Sequence, residues 1–244
     1  MKKLMRIVFF FAAMIAAVVA RAESPEALFE QANALYQDEQ YEPAIEAYQQ
    51  MLPDHQSANV HYNLGNAYYQ LDDFGPAVLH YEKALALDPR NPDIQANLEL
   101  TQEAAQLTPD APTWPQIIGN LAPVNLWAWL AAISFWVTVA LVILAPMYRW
   151  KGPLRGGLTA LSIVLLAVSG MGLFGWHQRG QQGVVLSDEA TLSVAPTSTS
   201  PAAGSVKAGQ LAQIREQHGD YFLVSLGEDK IGWLSKTAFA PIWD

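Results

Sequence analysis

Few side chains in this sequence are spaced for covalent or metal chemistry. The five histidines are His55, His61, His80, His177 and His218. No two of them stand four apart and HExxH is absent, which excludes the usual helix-borne zinc site. There is no cysteine, so disulfides and thiolate-ligated zinc are excluded. His61 and His80 fall in amphipathic sequence and read as packing or surface residues. The acid pairs Asp72-Asp73 and Glu228-Asp229 stand in turn-like sequence, where solvation accounts for them. Neither a GxSxG elbow nor a P-loop occurs. The glycine cluster GMGLFG (170–175) lies inside an apolar run, where glycine serves helix packing rather than phosphate binding. No catalytic residue, metal ligand or cofactor site is expected, and function has to come from binding surfaces.

The charge is partitioned along the chain. Over 244 residues the formal net charge is −9, yet residues 23–123 alone carry sixteen acids against Lys83 and Arg90, a net of −14. Residues 124–176 carry three bases and no acid. An acidic block beside an acid-free apolar block signals separate environments rather than one core. Without clustered Lys and Arg in the soluble parts there is no footprint for a phosphate backbone, and nucleic acid is not an expected partner.

Residues 1–22, MKKLMRIVFFFAAMIAAVVARA, read as an export signal. Lys2, Lys3 and Arg6 make a positive start and residues 7–20 an apolar run. Ala20 and Ala22 put small side chains at the two positions a signal peptidase reads. The run is shorter than the roughly 20 residues a membrane-crossing helix needs, so cleavage before Glu23 is expected.

Next comes an internal repeat. Tyr41, Pro43, Ala44, Tyr48 and Leu52 recur 33 residues later as Phe74, Pro76, Ala77, Tyr81 and Leu85, and QANALYQ (31–37) recurs as LGNAYYQ (64–70) at the same offset. The pattern resembles the tetratricopeptide repeat (TPR), whose period is about 34 residues. The resemblance implies an all-α solenoid over 23–107, with repeats at about 25–57 and 58–90 and a capping helix over 91–107. Ala32, Ala44, Gly65 and Ala77 would let paired helices approach closely, and Tyr48 and Tyr81 would fill the gap to the next helix. Pro89 stops the chain after the second pair. The first helix of each pair would line a concave groove, which makes Phe29, Asn33, Tyr36, Tyr62, Asn63, Asn66 and Tyr69 candidate peptide contacts. Asn33 and Asn63 match positions where carboxylate-clamp TPRs hold a peptide backbone, but Phe29 and Asp93 stand where the clamp has lysine. A neutral or basic segment is therefore expected rather than an acidic tail. The same Asn and Tyr residues would serve equally to cap and pack the solenoid.

Residues 108–123 hold four prolines and read as a linker. Two spans follow, 124–147 and 156–176, with uncharged stretches at 126–145 and 158–176 that match the about 30 Å hydrocarbon thickness. Between them Arg149, Lys151 and Arg155 make the short loop 148–155 positive, which by the positive-inside rule stays in the cytoplasm. The flanking parts then face the periplasm across a bacterial inner membrane. Small residues at helical spacing (Ala128/Ala132, Ser134/Thr138, Ser169/Gly172/Gly175) suit close helix packing, within the hairpin or with another protein. With no acid in either span, the pair reads as an anchor or assembly surface rather than a transport path.

Residues 177–244 carry β-rich runs at 183–187, 190–195, 210–217, 221–226 and 230–235, separated by turn clusters at 196–205 and 227–230. Five short strands suggest a small barrel. The order Val206-Lys207-Ala208-Gly209-Gln210, Gly219-Asp220-Tyr221, Ile231-Gly232-Trp233-Leu234, Ala240-Pro241-Ile242 resembles a bacterial SH3-like domain, although Ala195-Pro196 stand where such domains carry an Arg. Signal, TPR module, two spans and SH3-like tail together resemble the BatE-type proteins of aerotolerance operons. That resemblance implies a multi-domain membrane protein: a non-enzymatic scaffold in an envelope complex. Its partners would be membrane proteins with von Willebrand factor A (VWA) domains and a MoxR-type ATPase on the cytoplasmic side. The rival expectation is a cell-wall sensor whose tail binds peptidoglycan.

Overall fold

A computed structural model describes residues 24–108, 113–188, 190–227 and 230–243, so the export signal expected at 1–22 lies outside the described residues. The chain divides near Thr101 into two compact units.

The first unit is helical. α1 (Pro25–Gln37) and α2 (Tyr41–Met51) form one hairpin, α3 (Ala58–Gln70) and α4 (Phe74–Leu87) a second, and α5 (Pro92–Ala104) follows. α1 and α3 begin alike. The side chains of Ser24 and Ser57 accept hydrogen bonds from Ala27 N and Val60 N at 3.2 and 3.3 Å, satisfying one orphan amide of the first turn. They also end alike. Glu39 and Asp72 take left-handed φ values of 60° and 56°. The next amide then reaches back five residues, from Gln40 to Leu35 O at 2.9 Å and from Asp73 to Tyr68 O at 3.0 Å. This is the Schellman ending, more often built on glycine.

Small residues set the helix spacing. Ala32, Ala44, Ala67 and Ala77 are fully buried. At Gly65 an added Cβ would lie 2.7 Å from the Tyr81 ring, so the bare backbone is what lets that ring lie across α3. The region expected to cap the array, 91–107, is helical over Pro92–Ala104 and buries Ile94, Leu98 and Thr101.

In the second unit, residues 108–123 depart from the expected linker: 114–120 form a helix, α6 (Trp114–Asn120). A capping box starts it, with Thr113 N donating to the Gln116 side chain at 2.8 Å. Seven residues are too few for a helical period to show in sequence, and tertiary contacts hold it. Two helices long and apolar enough to cross a membrane come next, α7 (Val124–Met147) and α8 (Pro153–Gly180). α7 relaxes into a π turn at Ala140–Leu144, just before Pro146, which has no N–H for the regular ladder. α8 is longer than the expected 156–176. It absorbs the end of the basic loop and runs unbroken until one residue before the first strand.

The two apolar helices pack through small and hydroxylated residues. Ser134, Ser162, Ser169 and Gly172 are buried, and Thr138 Oγ1 donates to Ser162 Oγ at 2.9 Å. The spacing of GMGLFG is letter for letter that of a dinucleotide-binding loop, but the segment lies within α8. A Cβ on Gly172 would strike the Trp127 ring, and one on Gly175 the Pro115 carbonyl. Trp127 Nε1 and Trp176 Nε1 both donate to Gly119 O, at 3.1 and 2.9 Å, tying α6 to α7 and α8. Outward, Trp129, Ile133, Trp136 and Val164 are exposed and give the pair an apolar outer face.

The C-terminal part is one antiparallel sheet in the order β3-β2-β6-β5-β4-β1-β7. Its strands are β1 (Gln182–Val185), β2 (Thr191–Ser193), β3 (Ala202–Ser205), β4 (Leu211–His218), β5 (Tyr221–Leu226), β6 (Lys230–Ser235) and β7 (Phe239–Pro241). Among the described residues, seven strands stand where five were expected. β3 falls inside a run read as turn, because it is four exposed residues with no β-branched side chain and pairs with β2 alone. β7 is three residues at the other edge, where Pro241 breaks no ladder. The sheet curls: the rings of Phe222 on β5 and Phe239 on β7 lie 5.6 Å apart, though three strand spacings of about 4.8 Å separate those strands in a flat sheet. Val185, Leu192, Val224 and Leu234 fill the inside of the curl.

Candidate functional site

The first unit carries two related side-chain networks. In the first, Tyr48 Oη donates to Asn33 Oδ1 at 2.6 Å, and Asn63 Nδ2 donates to the same oxygen at 2.9 Å and to Tyr48 Oη at 3.2 Å. In the second, Tyr81 Oη donates to Asn66 Oδ1 at 2.7 Å, and Asn97 Nδ2 donates to that oxygen at 2.9 Å and to Tyr62 Oη at 3.0 Å. Each network joins the two helices of a hairpin to the helix that follows. Burial, ahead of the charges of Tyr36 and Glu30, pushes the Tyr48 phenol up to about 12, against the lowering effect of its bond with Asn63. Burial likewise raises that of Tyr81. Both phenols stay protonated donors at any physiological pH.

Two adjoining cavities open beside these networks. One, of 250 Å³, is lined by Asn33, Tyr36, Gln37, Tyr48, Asn63 and Asn66. The other, of 340 Å³, is lined by Tyr36, Tyr62, Asn66, Tyr69, Gln70, Tyr81, Asn97 and Leu100. Tyr36 and Asn66 belong to both walls. Six of the seven expected groove residues thus meet at one surface. Phe29 does not: it packs against Tyr48 with ring centroids 6.0 Å apart and lines a separate 400 Å³ cavity with Glu26, Glu30 and His55. It shares a face of α1 with Asn33 but stands one turn nearer the N-terminus, beyond the residues that line the smaller cavity. Sequence reasoning missed Asn97 and the wall formed by Tyr81, Gln70 and Leu100. The spacing of Asn97, 34 residues after Asn63, was the available signal.

Asn33 and Asn63 are not independent clamp side chains, since the Asn33 carbonyl is occupied by Tyr48 and Asn63. What the surface presents is neutral: phenol rings and amide groups. Of the residues that set the charge of the loop between the apolar helices, Arg149 ends α7 in a left-handed conformation, φ 56°. Arg155 Nη1 donates to Trp150 O at 3.2 Å, and Lys151 is exposed.

Residues 58–91, covering α3 and α4, match the tetratricopeptide repeat family. No curated protein matches the chain. The chain therefore contains a tetratricopeptide repeat, a module that typically mediates protein–protein interaction rather than catalysis. The match falls on the hairpin with the Leu64-Gly65 pair, whereas the preceding hairpin has Gln31-Ala32 at those positions.

Proposed function

We propose that this protein is a membrane-anchored adaptor whose repeat module binds a segment of a partner protein at the periplasmic face of a bacterial inner membrane. The observation that carries the reading is the continuous surface of phenol and amide groups around Asn33, Tyr36, Asn63, Asn66, Tyr62 and Tyr69. Its side chains are held in place by the two related hydrogen-bond networks, so little ordering cost remains when a segment docks. α7 and α8 act as the anchor, their exposed apolar faces meeting lipid. Arg149, Lys151 and Arg155 keep the loop between them in the cytoplasm, which leaves the repeats and the C-terminal sheet on the same outer side. The curled sheet, with Gly232 set against Leu192, is compatible with an SH3-like domain. The resemblance to BatE-type proteins points to membrane proteins with VWA domains as the partners.

A photoactivatable residue in place of Gln37, exposed on the wall of the smaller cavity, tests the adaptor reading in native membranes. Crosslinking to one defined membrane protein is expected. Crosslinks that go only to lipid would count against it. The topology is tested with a reporter fused after Trp243: activity restricted to the cytoplasm would overturn the outer placement of both soluble parts.

A further inference from the structure

The larger cavity has walls specific enough to name what enters it. Tyr36, Tyr62, Tyr69 and Tyr81 give it four phenol rings, and Asn66, Asn97 and Gln70 give it amides. Among the described residues, no Lys, Arg, His, Asp or Glu lines it or its smaller neighbour. The surroundings are strongly acidic: residues 24–108 carry fourteen Asp and Glu against Lys83 and Arg90. Glu30 stands one turn before Asn33 on α1, and its charge is felt at Tyr48. A neutral aromatic pocket inside a negative field selects among occupants. A carboxylate would find phenol and amide donors but no cation, and would enter against the surrounding negative charge. An aliphatic side chain would strip water from the hydroxyls and amides and return nothing. A cation gains from the aromatic rings and the field together, and its N–H groups find acceptors in the phenol oxygens of the wall.

Building on the adaptor reading, we infer that this cavity receives a Lys or Arg side chain carried by an extended partner segment. The amides of the adjoining cavity then face the segment's main chain. The partner is recognised by a basic residue, the opposite of the acidic terminus that a carboxylate clamp holds.

The test uses the full-length chain in lipid nanodiscs and fluorescent Gly/Ser decapeptides that differ only in two residues: Lys, Arg, norleucine or Glu. Anisotropy should show the Lys and Arg peptides binding about tenfold or more tightly than the norleucine peptide, with the Glu peptide weakest. Gln70→Lys, which adds a cation to the wall at an exposed position, should abolish that preference. So should Tyr62→Leu combined with Tyr69→Leu, with helix content checked by circular dichroism. A Glu42→Gln, Asp54→Asn variant, which removes acids away from the cavity walls, should keep it. Three outcomes overturn the inference: norleucine binding as tightly as lysine, a preference that survives Gln70→Lys, or displacement of the Lys peptide by a neutral N-acetylglucosamine oligomer. The adaptor reading stands or falls separately, because crosslinking from Gln37 scores a captured partner whatever its charge.

Discussion

The Nδ1 atoms of His61 and His80 lie 3.0 Å apart in the interior of the second helical hairpin. One ring must donate and the other accept, so the pair is built for neutral imidazoles. His80 is also stacked on Tyr68, centroids 5.5 Å apart and planes within 6°, and Tyr68 accepts a hydrogen bond from Gln49.

The pair predicts acid sensitivity. Burial, then the neighbouring charges of His61 and Lys83, hold His80 down to about 3, whereas an unfolded histidine titrates near 6.5. Between those values the unfolded chain binds a proton that the folded chain refuses. The stabilisation is therefore complete above about pH 6.5 and is lost progressively as pH falls towards 3. Lowering pH from 7.5 to 5 is expected to remove on the order of 2 kcal/mol. Asp73, whose carboxyl is raised by burial, acts in the opposite sense only as it titrates at lower pH. Thermal unfolding of the repeats should show a falling Tm over this window and a flattened response in His80→Phe. A Tm independent of pH in the wild type would refute the assignment.

Gly65→Ala should destabilise the repeats by about 1–3 kcal/mol, because the new methyl overlaps the Tyr81 ring. Tyr81 cannot retreat without breaking its bond to Asn66. Denaturant midpoints of the two proteins decide it, and equal midpoints would mean that the ring does not rest on that backbone.

Glu39→Gly and Asp72→Gly should each stabilise by up to about 1 kcal/mol, since glycine adopts the left-handed φ that both residues already hold. Additivity of the two gains in Tm is expected, as they serve separate hairpins. A loss in either would show that its side chain does more than occupy the turn.

Trp176→Phe removes the indole bonds to Gly119 O and Ala122 O while keeping an aromatic ring. Amide exchange across residues 114–121 should accelerate about ten- to a hundredfold, with exchange in the repeats unchanged. Unaltered protection at 114–121 would mean that Trp127 alone secures α6.

The repeat was legible because its physics is local and recurs. Small residues where helices cross, and Tyr48 and Tyr81 at one offset, leave a mark at 33-residue spacing. The networks were half legible. Asn33 and Asn66 share that offset, but which amide bonds which phenol depends on the facing of three helices, and Phe29 lies a helical turn before Asn33, against Tyr48. α6 left no mark because its order comes from Gly119, Gly175 and Trp176, residues up to 57 positions apart. β3 and β7 left none because short edge strands with one neighbour need neither alternation nor β-branched residues.

Only Gln181 separates the end of α8 from the start of β1, and the Trp176 and Trp243 rings meet across that junction, centroids 6.4 Å apart. There is no slack there for a swivel. The sheet sits on α8 as a head on a shaft, so turning the shaft about its axis turns the head with it. Any protein that grips the exposed sides of α7 and α8 thereby sets the compass bearing of the sheet, with no rearrangement inside either.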